Sequence, residues 1–201
     1  MKQLISFFAV ILMCLSSANA QQAADNPRVI LHTNHGDIVM ELFPNEAPIS
    51  VENFLQYANE GYYDGTVFHR VISHFMIQGG GMELTYDETG VEGEKKPAAL
   101  VPKPTRDPIT NEADNGLTNE RGTVAMARTN DVNSATSQFF INVELNGNLD
   151  HQGKESSRTW GYAVFGRVVE GMDVVDDIRF VETGVRDVPI EPVVIESVEV
   201  L

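Results

Sequence analysis

The amino-acid sequence predicts a mainly β domain, a closed or nearly closed antiparallel barrel capped by helices. Short runs rich in β-branched and aromatic residues recur along the chain, each bounded by turn residues. Only two stretches place apolar residues at helical spacing. Strands and helices do not alternate as βαβ units, which argues against a doubly wound sheet.

The first twenty residues stand apart from this pattern. Lys2 gives a positive start, Leu4 to Leu15 is an apolar run broken only by Ser6, and Ala18-Asn19-Ala20 has the small-x-small form of a secretory cleavage site. The expected organisation is a signal peptide over 1–20, a polar lead over 21–27 and one domain over 28–201. An uncleaved anchor is the alternative, but the apolar run is shorter than the roughly 20 residues that span a bilayer. Lipidation at Cys14 ranks below both, because Met13 is a poor neighbour for it. Cleavage would remove the only cysteine, leaving a domain with no disulfide and no thiolate ligand. The leader places the mature protein in an exported compartment, the periplasm or, alternatively, the medium.

Within the domain, Arg28 to His32 and Ile38 to Leu42 read as strands, joined by a tight turn at Asn34-His35-Gly36-Asp37 in which Gly36 supplies a positive φ. Val51, Phe54, Leu55 and Ala58 fall at i, i+3, i+4 and i+7, an amphipathic helix ended by Gly61. Thr66 to Ile72 and Phe75 to Gln78 read as strands closed by Gly79-Gly80-Gly81. From Met82 to Glu120 periodicity is lost and prolines stand at 97, 102, 104 and 108, a pattern of surface or functional loops. Strands return at Gly122 to Ala127, Ser137 to Val143 and Tyr162 to Val169. A short helix at Met172 to Ile178 and a strand at Val193 to Val200 complete the chain.

The chain carries 29 acidic and 14 basic side chains among 201 residues, a formal charge of −15. Removing Lys2 with the leader makes this −16. Nucleic acid and anionic membrane surfaces are therefore poor partners, since both need a basic footprint. The three glycines at 79–81 lack the following Lys-Ser or Lys-Thr of a phosphate loop. No histidine pair has zinc-enzyme spacing on a helix, and no G-x-S-x-G elbow is present. No cofactor and no metal is expected. No heptad or apolar stripe calls for assembly, so a monomer is expected.

Two segments concentrate apolar and amide side chains: FHRVISHFMIQGG at 68–80 and GTVAMARTNDVNSATSQFFINV at 122–143. Strand alternation puts Phe68, Arg70 and Ile72 on one face. Arg70 on such a face is either a surface side chain burying its stem or a donor placed beside a pocket, and composition alone favours the former. Gln78 and Gln138, at strand positions, need hydrogen-bond partners. Phe139, next to Phe140, points to the opposite face and reads as core.

These segments, with Leu149-Asp150 and GYAVFGRVVEGMDVV at 161–175, resemble the cyclophilin family of peptidyl-prolyl cis/trans isomerases, most closely its exported bacterial branch. The similarity runs from about Val29 to the C terminus. It implies a closed eight-stranded antiparallel β-barrel capped by two α-helices, and an enzyme that accelerates rotation of X-Pro bonds in folding proteins. By the same resemblance Arg70 donates to the prolyl nitrogen, with Gln78 helping to hold the guanidinium. Phe75, Met76, Phe140 and Leu149 form the apolar proline socket. Tyr162 stands where many relatives carry histidine. Ala127, the backbone at Arg128, and Gln138 correspond to the peptide groove, and His69 to a position near the site. Many cyclosporin-binding relatives have tryptophan where this chain has Asn148, which implies weak cyclosporin binding; Trp160 lies in a polar insertion and is not expected to replace it. Two functional classes follow, an isomerase and a non-catalytic binder of proline-containing segments, and Arg70 discriminates between them.

Overall fold

The computed structural model describes residues 26–88 and 95–201. The expected signal peptide and all of the lead but Asn26 and Pro27 lie outside the described residues. Strands β1 (Arg28–Thr33) and β2 (Gly36–Leu42) form a hairpin in which Val29, Leu31, Ile38, Met40 and Leu42 are completely buried. Gly36 takes the expected positive φ, 127°. The turn is tied by Thr33 Oγ1, which donates to the Gly36 carbonyl at 2.7 Å and accepts from the His35 amide at 3.1 Å.

Helix α1 (Pro48–Asn59) buries Val51, Phe54, Tyr57 and Ala58. Pro48 suits the first turn, where an amide has no helical partner. Ala47 provides no side-chain cap. Instead Glu112, from a distant loop, accepts from the amides of Ile49 (2.9 Å) and Ser50 (2.8 Å) and from the Ser50 hydroxyl (2.7 Å), placing a carboxylate at the positive end of the helix.

The strands after α1 are β3 (Thr66–Val67), β4 (Arg70–Ile72), β5 (Met76–Gly79), β6 (Met82–Glu88), β7 (Lys95–Pro102), β8 (Thr123–Met126) and β9 (Phe139–Asn142). They are followed by α2 (Ser157–Trp160), β10 (Val164–Glu170), α3 (Met172–Arg179) and β11 (Val194–Val200). One antiparallel ladder joins all eleven strands in the order β4-β5-β9-β8-β10-β2-β1-β11-β3-β6-β7.

The ladder does not by itself show the expected closed eight-stranded barrel: among the described residues no ladder returns from β4 to another strand, and eleven strands are present. The break lies at Phe68-His69. The run Thr66 to Ile72 is two strands, not one: β3 pairs with β11, the Phe68 amide donates to Val193 O at 2.9 Å, and two residues later β4 has turned to pair with β5. The kink also cancels the expected common face of Phe68, Arg70 and Ile72. Phe68 joins Val71 in the main core, while Ile72 packs on the other side of the sheet.

The aperiodic stretch after Met82 holds the β6–β7 hairpin, which the sequence did not reveal. Thr85, Tyr86 and Asp87 are exposed, so no face of this hairpin imposes the apolar alternation that marks a buried strand. Its prolines are tolerated because β7 is an edge strand. A third helix, α2, was likewise unforeseen; it is one capped turn in the polar insertion.

Two apolar clusters lie on opposite faces of the sheet. The larger holds Phe54, Tyr63, Phe139 and Phe165, with Phe54 stacked on Tyr63 at 5.0 Å and edge-on to Phe139 at 5.6 Å. The smaller is built from Met76, Ala125, Ala127, Phe140 and Val164. Along β9, Phe139 and Ile141 enter the first cluster and Phe140 the second, as period-two alternation requires.

Candidate active site

The smaller cluster forms the wall of a cavity of about 130 Å³. Strand register explains its composition. Arg70 on β4 lies opposite Gln78 on β5, Gln78 opposite Phe140 on β9, Phe140 opposite Ala125 on β8, and Ala125 opposite Val164 on β10. One row across five strands therefore runs from a cation through an amide and a phenyl ring to two small apolar residues. Arg70, Gln78 and Phe140 line the cavity directly, together with Phe75, Met76 and Ala127. The far wall is Leu149, from a 3-10 turn (Gly147–Leu149), with Tyr162 and Arg128. Tyr162 meets Phe140 edge-on at 5.7 Å.

Met76 and Phe140 are almost fully buried, whereas Arg70 keeps 41% of its side chain exposed. An apolar socket thus carries a solvent-facing guanidinium at its rim. Arg70 Nε donates to Asp187 Oδ2 at 3.4 Å, and this is the only side-chain hydrogen bond of Arg70 among the described residues. Neither terminal amino group has a hydrogen-bond partner among the described residues. Asp187 closes a 3-10 turn (Val185–Asp187) in which Arg186 and Asp187 both take positive φ, 63° and 60°. Two consecutive non-glycine residues in that region cost of order 1–3 kcal/mol each, and such strain clusters at functional sites.

Among the described residues Gln78 makes no hydrogen bond to the Arg70 guanidinium; its Nε2 donates to Gln138 Oε1 at 2.9 Å. Gln138 in turn packs against Gly81, where an added Cβ would lie 2.3 Å from Gln138 Cγ, so the glycine-rich strand end makes room for this amide pair. His69 and Gln138 are outside the cavity lining. His69 lies half-buried at the β3–β4 kink, and its Nδ1 has no protein partner. Burial, and then the nearby positive charge of Arg70, lower its pKa and favour the neutral ring. Phe75, Met76, Ala127, Arg128, Phe140, Leu149 and Tyr162 all line the cavity.

The Arg128 side chain, apart from the backbone expected to face the peptide, is extensively bonded. Its Nε and Nη2 donate to Gly161 O (3.1 and 3.0 Å), Nη2 to Ser157 O (2.6 Å), and Nη1 to Ser157 Oγ (3.0 Å) and Thr129 O (2.8 Å). Its guanidinium lies 4.4 Å from the Tyr162 ring centroid. With its donors committed, this side chain fixes the Tyr162 wall and ties α2 to it. Trp160 lies away from the cavity, edge-on to His151 at 6.0 Å and under the Lys154 ammonium. Among the described residues, no group of three or more His, Cys, Asp or Glu side chains is placed to hold a metal ion.

Asp187 is the participant that sequence reasoning missed. It lies 117 residues from Arg70, in a chain rich in acids, and no local signal distinguishes it.

Residues 28–200 match the family model described as cyclophilin type peptidyl-prolyl cis-trans isomerase/CLD. The chain is 56% identical over 177 residues to peptidyl-prolyl cis-trans isomerase cyp18 of Streptomyces antibioticus, covering 86% of this chain and 98% of that one. It is 54% identical over 176 residues to peptidyl-prolyl cis-trans isomerase B of Escherichia coli, with the same coverage. It is 43% identical over 204 residues to peptidyl-prolyl cis-trans isomerase A of Dickeya dadantii, covering 100% of this chain and 98% of that one. Among solved structures, a cyclophilin type isomerase from Cryptosporidium parvum superposes with a TM-score of 0.67 at 26% identity, over 88% of this chain and 98% of that one. A cavity built on one strand row, together with these relatives along almost the whole domain, places the chain in the cyclophilin family of peptidyl-prolyl cis-trans isomerases.

Proposed function

We propose that this isomerase works by directing the Arg70 guanidinium at the prolyl nitrogen of a twisting X-Pro bond, and that its substrates are proline-containing segments of exported proteins during folding. The observation that carries the mechanism is the placement, at the rim of a proline-sized apolar socket, of a cation whose terminal amino groups have no partner among the described residues.

Partial double-bond character gives peptide rotation a barrier of about 18–20 kcal/mol, and an X-Pro bond left alone takes tens to hundreds of seconds. Reaching an ordinary enzymatic turnover requires a gain of roughly 10⁴-fold, about 5–6 kcal/mol. In the twisted state amide resonance is lost and the prolyl nitrogen holds a free lone pair. A donor aimed at that nitrogen stabilises the twisted state more than either planar state, which is the condition for catalysis. Met76, Phe140, Phe75 and Leu149 hold the ring while the preceding carbonyl swings. Gln78 and Gln138, paired to each other, present fixed polar edges to the peptide backbone. Asp187 anchors Nε, so that the terminal amino groups face the socket.

The export part of the reading rests on the leader pattern at 1–20 and on the bacterial relatives. With Asn148 in place of an indole, cyclosporin has less surface to bind, and weak affinity belongs to the same proposal.

The test is isomerisation of a short X-Pro peptide by wild type and Arg70→Ala. Removing one preorganised donor of this kind costs on the order of 10²–10³ in turnover. Retained peptide binding with that loss supports the mechanism. Equal turnover by both proteins removes Arg70 from the mechanism, and no acceleration by either leaves the groove as a binder of proline segments. Fractionation of the native host reads the location.

A further inference from the structure

A second groove, of about 610 Å³, opens beside the proline socket and shares Leu149 and Tyr162 with it. Its other walls are Asn130, Asn148 and the Ser156-Ser157-Arg158 segment at the start of α2. Three features of this groove bear on what it holds. Among the described residues no carboxylate lines it, in a chain with 29 acidic and 14 basic side chains. Its lining is rich in hydrogen-bond donors, from two amides and three hydroxyls. Its one cation, Arg158, is exposed and makes no ion pair among the described residues, whereas neighbouring Lys154 is held by Asp114 at 2.7 Å.

The wall is also fixed before any ligand arrives. Ser156 caps α2, accepting from the Thr159 amide, and the Ser156 amide donates back to Thr159 Oγ1. Arg128 holds the turn through both the carbonyl and the hydroxyl of Ser157. One guanidinium thus sets the Tyr162 wall of the socket and the α2 wall of the groove together. A peptide seated by its proline passes from one to the other within a few residues, at roughly 3.3–3.6 Å per extended residue.

We propose that this groove is a subsite of the isomerase for an acidic side chain close in sequence to the proline, recognised by Arg158 and the surrounding amide and hydroxyl donors. The proposal rests on the reading of the adjoining cavity as the proline socket. An exposed charge pair of this kind is modest in strength and screened by salt. The preference it confers is roughly two- to five-fold in kcat/KM at low ionic strength.

The experiment uses the folded protein and four peptides, with Glu or Gln placed two residues before or two residues after the proline. The expected result is a higher kcat/KM for Glu than for Gln at one of these positions. That ratio should fall to about one in high salt and in Arg158→Gln. Equal values for Glu and Gln at both positions at low salt overturn the subsite, as does a Glu preference that persists in Arg158→Gln. Absence of turnover on all four peptides is a different failure: it overturns the reading of the proline socket itself.

Discussion

Replacing Asp187 with alanine removes the only side-chain hydrogen bond of Arg70 among the described residues and leaves the apolar socket untouched. The two side chains are 41% and 46% exposed and their contact is long, at 3.4 Å, so the pair itself contributes about 0–1 kcal/mol and the fold should scarcely notice. The consequence for turnover is larger in proportion. An arginine side chain carries about 2 kcal/mol of rotamer entropy, and without its anchor part of that must be spent to bring the guanidinium to the prolyl nitrogen. If a quarter to a half of it, about 0.5–1 kcal/mol, moves into the barrier, kcat/KM falls roughly two- to five-fold. Asp187→Asn keeps an acceptor in the same place and should recover most of the loss. The assay is isomerisation of an X-Pro peptide, with kcat and KM resolved separately and thermal melting as a control. Unchanged kcat/KM in Asp187→Ala would refute the reasoning. So would an equal proportional loss when Arg70 is already alanine, because a residue acting through Arg70 has nothing to act on in that background.

Glu112→Ala should destabilise the domain by about 1–2 kcal/mol, since it strips two amides and a hydroxyl at the α1 N terminus of their acceptor. For a domain of this size that is a drop of about 2–8 °C in Tm, and an unchanged melt would show that water caps the helix equally well. His32 lies between Asp37 (2.8 Å) and Glu199 (3.7 Å), and its hydrogen bond to Asp37 raises its pKa above the ordinary value. The proton is therefore bound more tightly in the folded state: this stabilisation is complete below about pH 6.5 and is lost as pH rises through the elevated folded value. His32→Gln should cost more stability at pH 6 than at pH 9 by denaturant titration, and a cost independent of pH would exclude the linkage.

Much of the site could be read from the chain because its residues are strand neighbours. Phe75, Met76 and Gln78 are local to β5, Phe140 is local to β9, and alternation alone separates Phe140 from the core residue Phe139. The β6–β7 hairpin was hidden because its exposed residues impose no pattern. The groove wall at α2 was hidden because a single capped turn is too short to show helical periodicity.

The sequence by itself determined the strand-rich composition, the α1 face, the turn at Gly36 and most of the socket. Each of these depends on residues a few positions apart, where the periods of strand and helix operate. Only the tertiary structure decided that the run Thr66 to Ile72 divides at Phe68-His69, that Gln78 bonds Gln138, that Glu112 caps α1, and that Asp187 meets the guanidinium. Those pairings span from 60 to 117 residues, and a side chain of fixed chemistry carries no mark of which distant partner the fold will bring to it.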